Sequence, residues 1–134
     1  MYVKDVIGIS TFKRSDRYIA AWVVFIPSAT ISISDKIPEL DFAIKAVVDA
    51  GNAILEIYKR GFETHTKNDN SPITDADIKS NEVIKNILLQ TQHMILSEED
   101  KDDQSRLLKE MVWIVDPLDG TSDFIEKTGE FTIM

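Results

Sequence analysis

Along the middle of this chain apolar positions return every three or four residues. Leu40, Ile44, Val47, Gly51, Ile54 and Tyr58 fall on one face of a helix. Pro38 suits the first helical position, and Glu39 and Asp41 favour its positive end. Lys59, Arg60 and Gly61 supply the basic last turn and the stop. A second helical rhythm starts at Thr74-Asp75-Ala76-Asp77, where Thr74 can cap and Asp77 stands three residues on, as in a capping box. Val83, Ile84, Ile87 and Leu88 give that helix a buried stripe, and it should end near Gln92. The polar stretch between the helices, Thr64-His65-Thr66-Lys67-Asn68-Asp69-Asn70-Ser71-Pro72, reads as a surface loop or a hairpin. Beyond residue 93 the rhythm changes. Met94-Ile95-Leu96 and residues 112–115 are short unbroken apolar runs, the form of buried strands, with a short helix expected over residues 104–110. Phe131-Thr132-Ile133-Met134 has the pattern of a strand just beginning, so the pattern stops midway.

The first 36 residues stand apart as a leader before a domain over residues 37–134. Residues 18–26 form a continuous apolar run after Lys13, Arg14 and Arg17, and Pro27-Ser28-Ala29 follow it. That is the outline of a signal peptide, and the run is too short to span a bilayer as a helix. Its β-branched and aromatic content, ended by Pro27, equally suits a strand. A leader foreign to the domain is the third reading. Residues 1–34 carry four basic side chains against two acidic ones, so the remainder holds more than the whole net charge of −8.

The bulk composition narrows the chemistry. At 134 residues and 43% hydrophobic, the chain suits one globular domain. Its acidity argues against non-specific nucleic-acid binding, which needs surplus Lys and Arg. Without cysteine, a metal would be held by oxygen or by the two histidines, which favours hard ions such as Mg²⁺. His65 and His93 read as ordinary loop and strand-approach residues.

One stretch concentrates candidate chemistry: Trp113-Ile114-Val115-Asp116-Pro117-Leu118-Asp119-Gly120-Thr121-Ser122-Asp123-Phe124. A strand empties into a turn with two acids, and Gly120 and Thr121 follow, so a cation and an anion can share one place. Ser97-Glu98-Glu99-Asp100-Lys101-Asp102-Asp103 follows the other apolar run. If the two strands are parallel neighbours, Glu98, Asp116 and Asp119 converge at one sheet edge. Glu99, Asp100, Asp102 and Asp103 read more simply as a solvated acidic loop, Lys67 taken alone as a surface lysine, and Asp77 taken alone as a helix cap.

These residues resemble the inositol monophosphatase superfamily, Mg²⁺-dependent and lithium-sensitive phosphatases whose signature is Asp-Pro-(aliphatic)-Asp-Gly-Thr, a polar pair and an aromatic. Ser97-Glu98-Glu99 resembles the family's Gly/Ser-Glu-Glu element, and Lys67 with Ser71-Pro72-Ile73-Thr74-Asp75-Ala76-Asp77 resembles a third landmark. The likeness covers roughly residues 40–134. It implies an α/β fold, a layered sandwich with helices 40–60 and 75–92 on a mixed sheet holding both motif strands. It also implies that Glu98, Asp116, the Leu118 carbonyl, Asp119 and Asp77 hold Mg²⁺, two or three ions in the full family site. Glu98, Thr121 and Asp77 would be catalytic, Thr121 and Glu98 orienting the attacking water and Asp77 supporting a further Mg²⁺, while Asp119, Gly120, Thr121 and Lys67 would meet the substrate. The variants at residues 67–77 and 97–100 resemble the CysQ-type 3'(2'),5'-bisphosphate nucleotidases, which clear adenosine 3',5'-bisphosphate in sulfur metabolism. Inositol-1-monophosphatase is the alternative activity, and a non-catalytic cation- or partner-binding fragment is the alternative of another class. Haloacid-dehalogenase-like phosphatases carry Asp-x-Asp-Gly-Thr, but here Pro117 and Leu118 both separate the acids, which favours metal ligation over a phospho-aspartate.

The family's later Trp-Asp-x-Ala-Ala element has no counterpart among these residues. The expectation is therefore an N-terminal portion with little activity alone, acting on a small phosphorylated substrate, with a homodimer or a separate C-terminal half as partner. Cytoplasmic residence is expected, with the inner membrane face as a second location and export as the minority reading.

Overall fold

The computed structural model describes residues 8–13, 19–24, 38–102 and 104–134. Two short strands come first, β1 (Gly8–Lys13) and β2 (Ile19–Val24), paired antiparallel from Gly8 opposite Val24 to Lys13 opposite Ile19. Of the readings of residues 18–26, the strand is what the structure has at Ile19–Val24; Pro27 and the rest of the leader lie outside the described residues.

Helix α1 (Pro38–Arg60) begins and ends where its local chemistry dictates, closing at Gly61 with φ of +98°. Its buried face differs from the hydropathy pattern. Ala43, Ala46, Val47, Ala50, Ile54 and Ile57 are buried, whereas Ile44 is 46% exposed. The alanines let a neighbouring helix approach closely, so the seam follows small side chains as well as large ones. Residues 64–74 take the hairpin form, β3 (Thr64–Thr66) antiparallel to β4 (Pro72–Thr74). Its turn closes through Lys67 N–H donating to Ser71 O at 2.8 Å.

Helix α2 (Asp75–Leu88) packs along α1 and starts from the capping box anticipated at Thr74 and Asp77. A 3₁₀ turn over Leu89–Thr91 extends it, and Gln92, with φ of +61°, ends it. Strands β5 (Met94–Ser97) and β6 (Val112–Val115) are parallel, Met94 opposite Val112 and Ser97 opposite Val115. Between them only a 3₁₀ turn, Ser105–Leu108, replaces the helix expected over 104–110, because Gln104 is left-handed and Lys109 extended. Asp116 and Met134 exchange backbone hydrogen bonds, as do Asp119 and Thr132, so residues 131–134 run antiparallel to residues 116–119. Helix α3 (Thr121–Glu126) fills the connection.

The architecture is α/β as expected, but the described strands form three separate two-stranded pairs instead of one mixed sheet. The core lies between α1, α2, β6 and residues 131–134, with Trp113, Val115, Leu118, Phe124 and Ile133 buried against the helices. Among the described residues no helix is long and apolar enough to cross a membrane.

Candidate active site

Parallel pairing brings the C-terminal ends of β5 and β6 to the same edge. Glu98 N–H donates to Val115 O at 2.9 Å, carrying the ladder one step past β5. On the other strand Pro117 has no N–H to continue it, and Asp116 Oδ1 accepts the Leu118 N–H at 3.1 Å, which folds the backbone into a turn. Ser80 Oγ on α2 donates to Pro117 O at 2.7 Å and fixes that turn to the helix. Gly120 sits at φ of +84°, and a Cβ there would lie 2.8 Å from Glu130 O. The close approach of residues 130–131 therefore requires glycine.

Asp77, 1% exposed, joins the two halves of the site. Its Oδ2 accepts the Thr74 N–H at 2.7 Å and the Thr74 hydroxyl at 2.6 Å. Its Oδ1 accepts from Thr121 Oγ1 at 2.9 Å, and the same hydroxyl lies 3.1 Å from Leu118 O. Both Asp77 oxygens are thus engaged. The cap at Thr74 and the hold on Thr121 are one carboxylate's work, and a direct metal contact from Asp77 would compete with these bonds.

Burial pushes the Asp116 carboxyl up to about 7, helped by the hydrogen bond and charge of Glu98 and by the charge of Asp119, against the opposing Leu118 N–H. A neighbouring carboxyl of like charge adds to the cost of ionising Asp116. Burial disfavours the Lys67 charge, yet hydrogen bonding and charge from Glu99, with Glu98 and Asp77 behind it, hold the ammonium above the ordinary lysine range. Lys67 Nζ lies 2.8 Å from Glu99 Oε2 and 3.6 Å from Glu98 Oε1.

That pairing takes Glu99 out of the solvated acidic loop, while Asp100 and Asp102 remain exposed and ion-paired. The Glu99 side chain is 9% exposed, Asp100 Oδ2 meets Lys85 Nζ at 2.7 Å, and Asp102 Oδ2 meets Arg106 Nε at 2.9 Å. The basic partners are distant in sequence or outside the run, so local composition misses them; Asp103 lies outside the described residues. Lys67 likewise is not a plain surface lysine.

The site therefore gathers Asp77, Thr121 and Leu118 O in one network, and Glu98 and Asp116 in a second beside Lys67 and Glu99. Asp119 is exposed at the same turn, held through its backbone to Thr132. Among the described residues no three acidic or histidine side chains are gathered tightly enough to enclose a cation by themselves. The donors present are all hard oxygens, and Mg²⁺ characteristically takes one or two carboxylates and keeps waters or substrate phosphate as its other ligands. Glu98, Asp116, Asp119 and Leu118 O fit that pattern. His93 instead lies 3.3 Å from Glu39, and His65 about 4 Å from Glu63 and Asp75, so neither reaches the site.

Sequence reasoning passed over Ser80, Asn81 and Lys85, whose side chains hold the two turns. Asp77, Asn81 and Lys85 are spaced four apart on α2, and that polar line beside the apolar stripe was the available signal.

A strand-edge acid pair, a buried Asp–Thr contact and a glycine-dependent turn thus meet on one α/β scaffold. The inositol monophosphatase family profile matches residues 35–134, and the chain belongs to that family. The 3'(2'),5'-bisphosphate nucleotidase CysQ of Escherichia coli K12 is 40% identical over 99 residues, covering 70% of this chain and 40% of that protein. The crystal structure of CysQ from Bacteroides thetaiotaomicron is 42% identical with a TM-score of 0.59, covering 76% of this chain and 38% of that one. The suhB protein of Bartonella henselae, at 24% identity and a TM-score of 0.61 over 70% of this chain and 38% of that one, shares the fold. The chain spans about 40% of the length of the curated relatives it matches.

Proposed function

We propose that the chain carries the water-activating and cation-binding residues of a Mg²⁺-dependent phosphomonoesterase acting on 3'(2'),5'-bisphosphate nucleotides. The observation that carries this reading is the Thr121 hydroxyl held between Asp77 Oδ1 and Leu118 O, beside the Glu98–Asp116 carboxyl pair. Glu98, Asp116, Asp119 and Leu118 O would hold the cation, which when bound polarises a phosphoryl oxygen and lowers the pKa of a water. Thr121 Oγ1 directs its own hydrogen to Asp77 Oδ1 and so turns a lone pair outward to accept a hydrogen from the attacking water. Asp77, nearly inaccessible and held on its other oxygen by Thr74, keeps that hydroxyl in one orientation. Backbone N–H groups of Gly120 and Thr121, without helical acceptors at the first turn of α3, are the donors offered to the ester phosphate.

The nucleotide preference rests on the 40% and 42% identity to proteins named CysQ. Calorimetry of the chain with Mg²⁺ and either adenosine 3',5'-bisphosphate or inositol 1-phosphate tests it, alongside phosphate release. Mg²⁺-dependent binding of the nucleotide at least tenfold tighter supports the proposal. A preference for inositol 1-phosphate moves the substrate to the alternative, Mg²⁺ binding without either ester leaves a cation-binding module, and no Mg²⁺ binding overturns the reading.

A further inference from the structure

Side chains from outside hold Ser97, Glu99 and Asp100 in the turn over residues 97–100. Ser97 Oγ donates to Asn81 Oδ1 at 2.8 Å, and Lys85 Nζ reaches Asp100 Oδ2 at 2.7 Å, both from α2. From the opposite side the β3–β4 turn sends Lys67, whose Nζ meets both oxygens of Glu99 at 2.9 and 2.8 Å. Glu98, 3.6 Å from the same Lys67 Nζ, keeps its side chain 57% exposed. The Lys67–Glu99 contact is the most enclosed of the tethers, with the side chains 22% and 9% exposed. A paired contact to both carboxylate oxygens restrains Glu99 in rotation as well as position. Because Glu98 and Glu99 are consecutive, fixing one limits how the backbone can present the other.

We propose that Lys67 is a positioning residue: acting through Glu99, and opposed by Asn81 and Lys85, it fixes the turn that presents the Glu98 carboxylate beside Asp116. What Glu98 then does rests on the proposed function, but the clamp does not. This differs from the substrate contact that resemblance implies for Lys67, since its ammonium is directed at Glu99 and Glu98.

The test uses the full chain and three variants, Lys67→Met, Glu99→Gln and Lys67→Arg, with Lys79→Met as the control at an exposed helical pair. Amide exchange is followed by NMR without metal, and Mg²⁺ affinity by calorimetry. The Glu98 amide, whose hydrogen bond to Val115 O depends on the turn, should exchange at least tenfold faster in Lys67→Met and Glu99→Gln. Mg²⁺ affinity should fall about 10- to 100-fold in both, as when a support behind a metal ligand is removed. Lys67→Arg should restore both readouts, and Lys79→Met should move neither. Unchanged Glu98 exchange in Lys67→Met and Glu99→Gln overturns the proposal, whatever the melting temperature does. Lost Mg²⁺ affinity with unchanged exchange overturns it too, because Lys67 would then act on the ligand directly. Absence of Mg²⁺ binding in the parent chain removes the functional reading, while the exchange data still decide the clamp.

Discussion

Thr121 shows how much one side chain carries. Thr121→Val keeps its shape but removes the hydroxyl and leaves Asp77 Oδ1 buried without its partner, which should cost about 1–3 kcal/mol in urea unfolding. Thr121→Ser should recover most of that loss. Under the proposed function, Thr121→Val should lower whatever phosphate release the chain shows about 100-fold or more, the usual scale for a lost proton acceptor. At Gly120 an alanine meets both a left-handed backbone and Glu130 O, so Gly120→Ala should lose about 1–3 kcal/mol by the same measurement. Asp116 makes a prediction in pH. Its folded value of about 7 lies above the ordinary 3.8, so the folded state binds the extra proton between the two. The metal-free chain should therefore lose stability relative to Asp116→Asn as pH rises from about 4 to about 7, and the difference should level off outside that window. Melting temperatures of both proteins across that range check the sign.

The elements divide according to where their determinants lie. The ends of α1 and α2 were legible because Pro38, Gly61 and Thr74 act on their own neighbours. Thr74→Ala should cost about 1–2 kcal/mol, since the cap is lost and an Asp77 oxygen loses a partner with it. The buried face of α1 was less legible, because three alanines count for little in a hydropathy pattern and much in close packing. The neutralisation of residues 98–102 was illegible for a different reason: Lys67 and Lys85 come from elements outside the run, and only the fold brings them there. The motif strands could be read from their apolar runs and their acids, and the parallel register then placed Glu98 and Asp116 together. Helix α3, short and polar, is held by Phe124, whose ring packs 5.0 Å from Tyr58, 4.7 Å from Phe62 and 5.0 Å from Phe131. With no exposure left to it, Phe124→Ala should cost about 3–5 kcal/mol and loosen the Gly120 turn along with the helix.

Across the whole molecule, the candidate site draws on α2, the turn after β5 and the turn after β6, so binding there should stabilise the entire fold. Mg²⁺ at a hundred times its dissociation constant should add about 2.7 kcal/mol to unfolding, and Asp116→Asn should abolish most of that gain. The pairing of residues 116–119 with residues 131–134 has a further consequence, in the order of assembly. Asp119 and Thr132 lie close along the chain, so closing them restricts only a small loop, whereas Asp77 reaches Thr121 across 44 residues. The turn over residues 116–120 would then be in place before Asp77 is recruited to hold Thr121, so a slowly refolding chain would own the shape of the turn before it owned the buried carboxylate behind it.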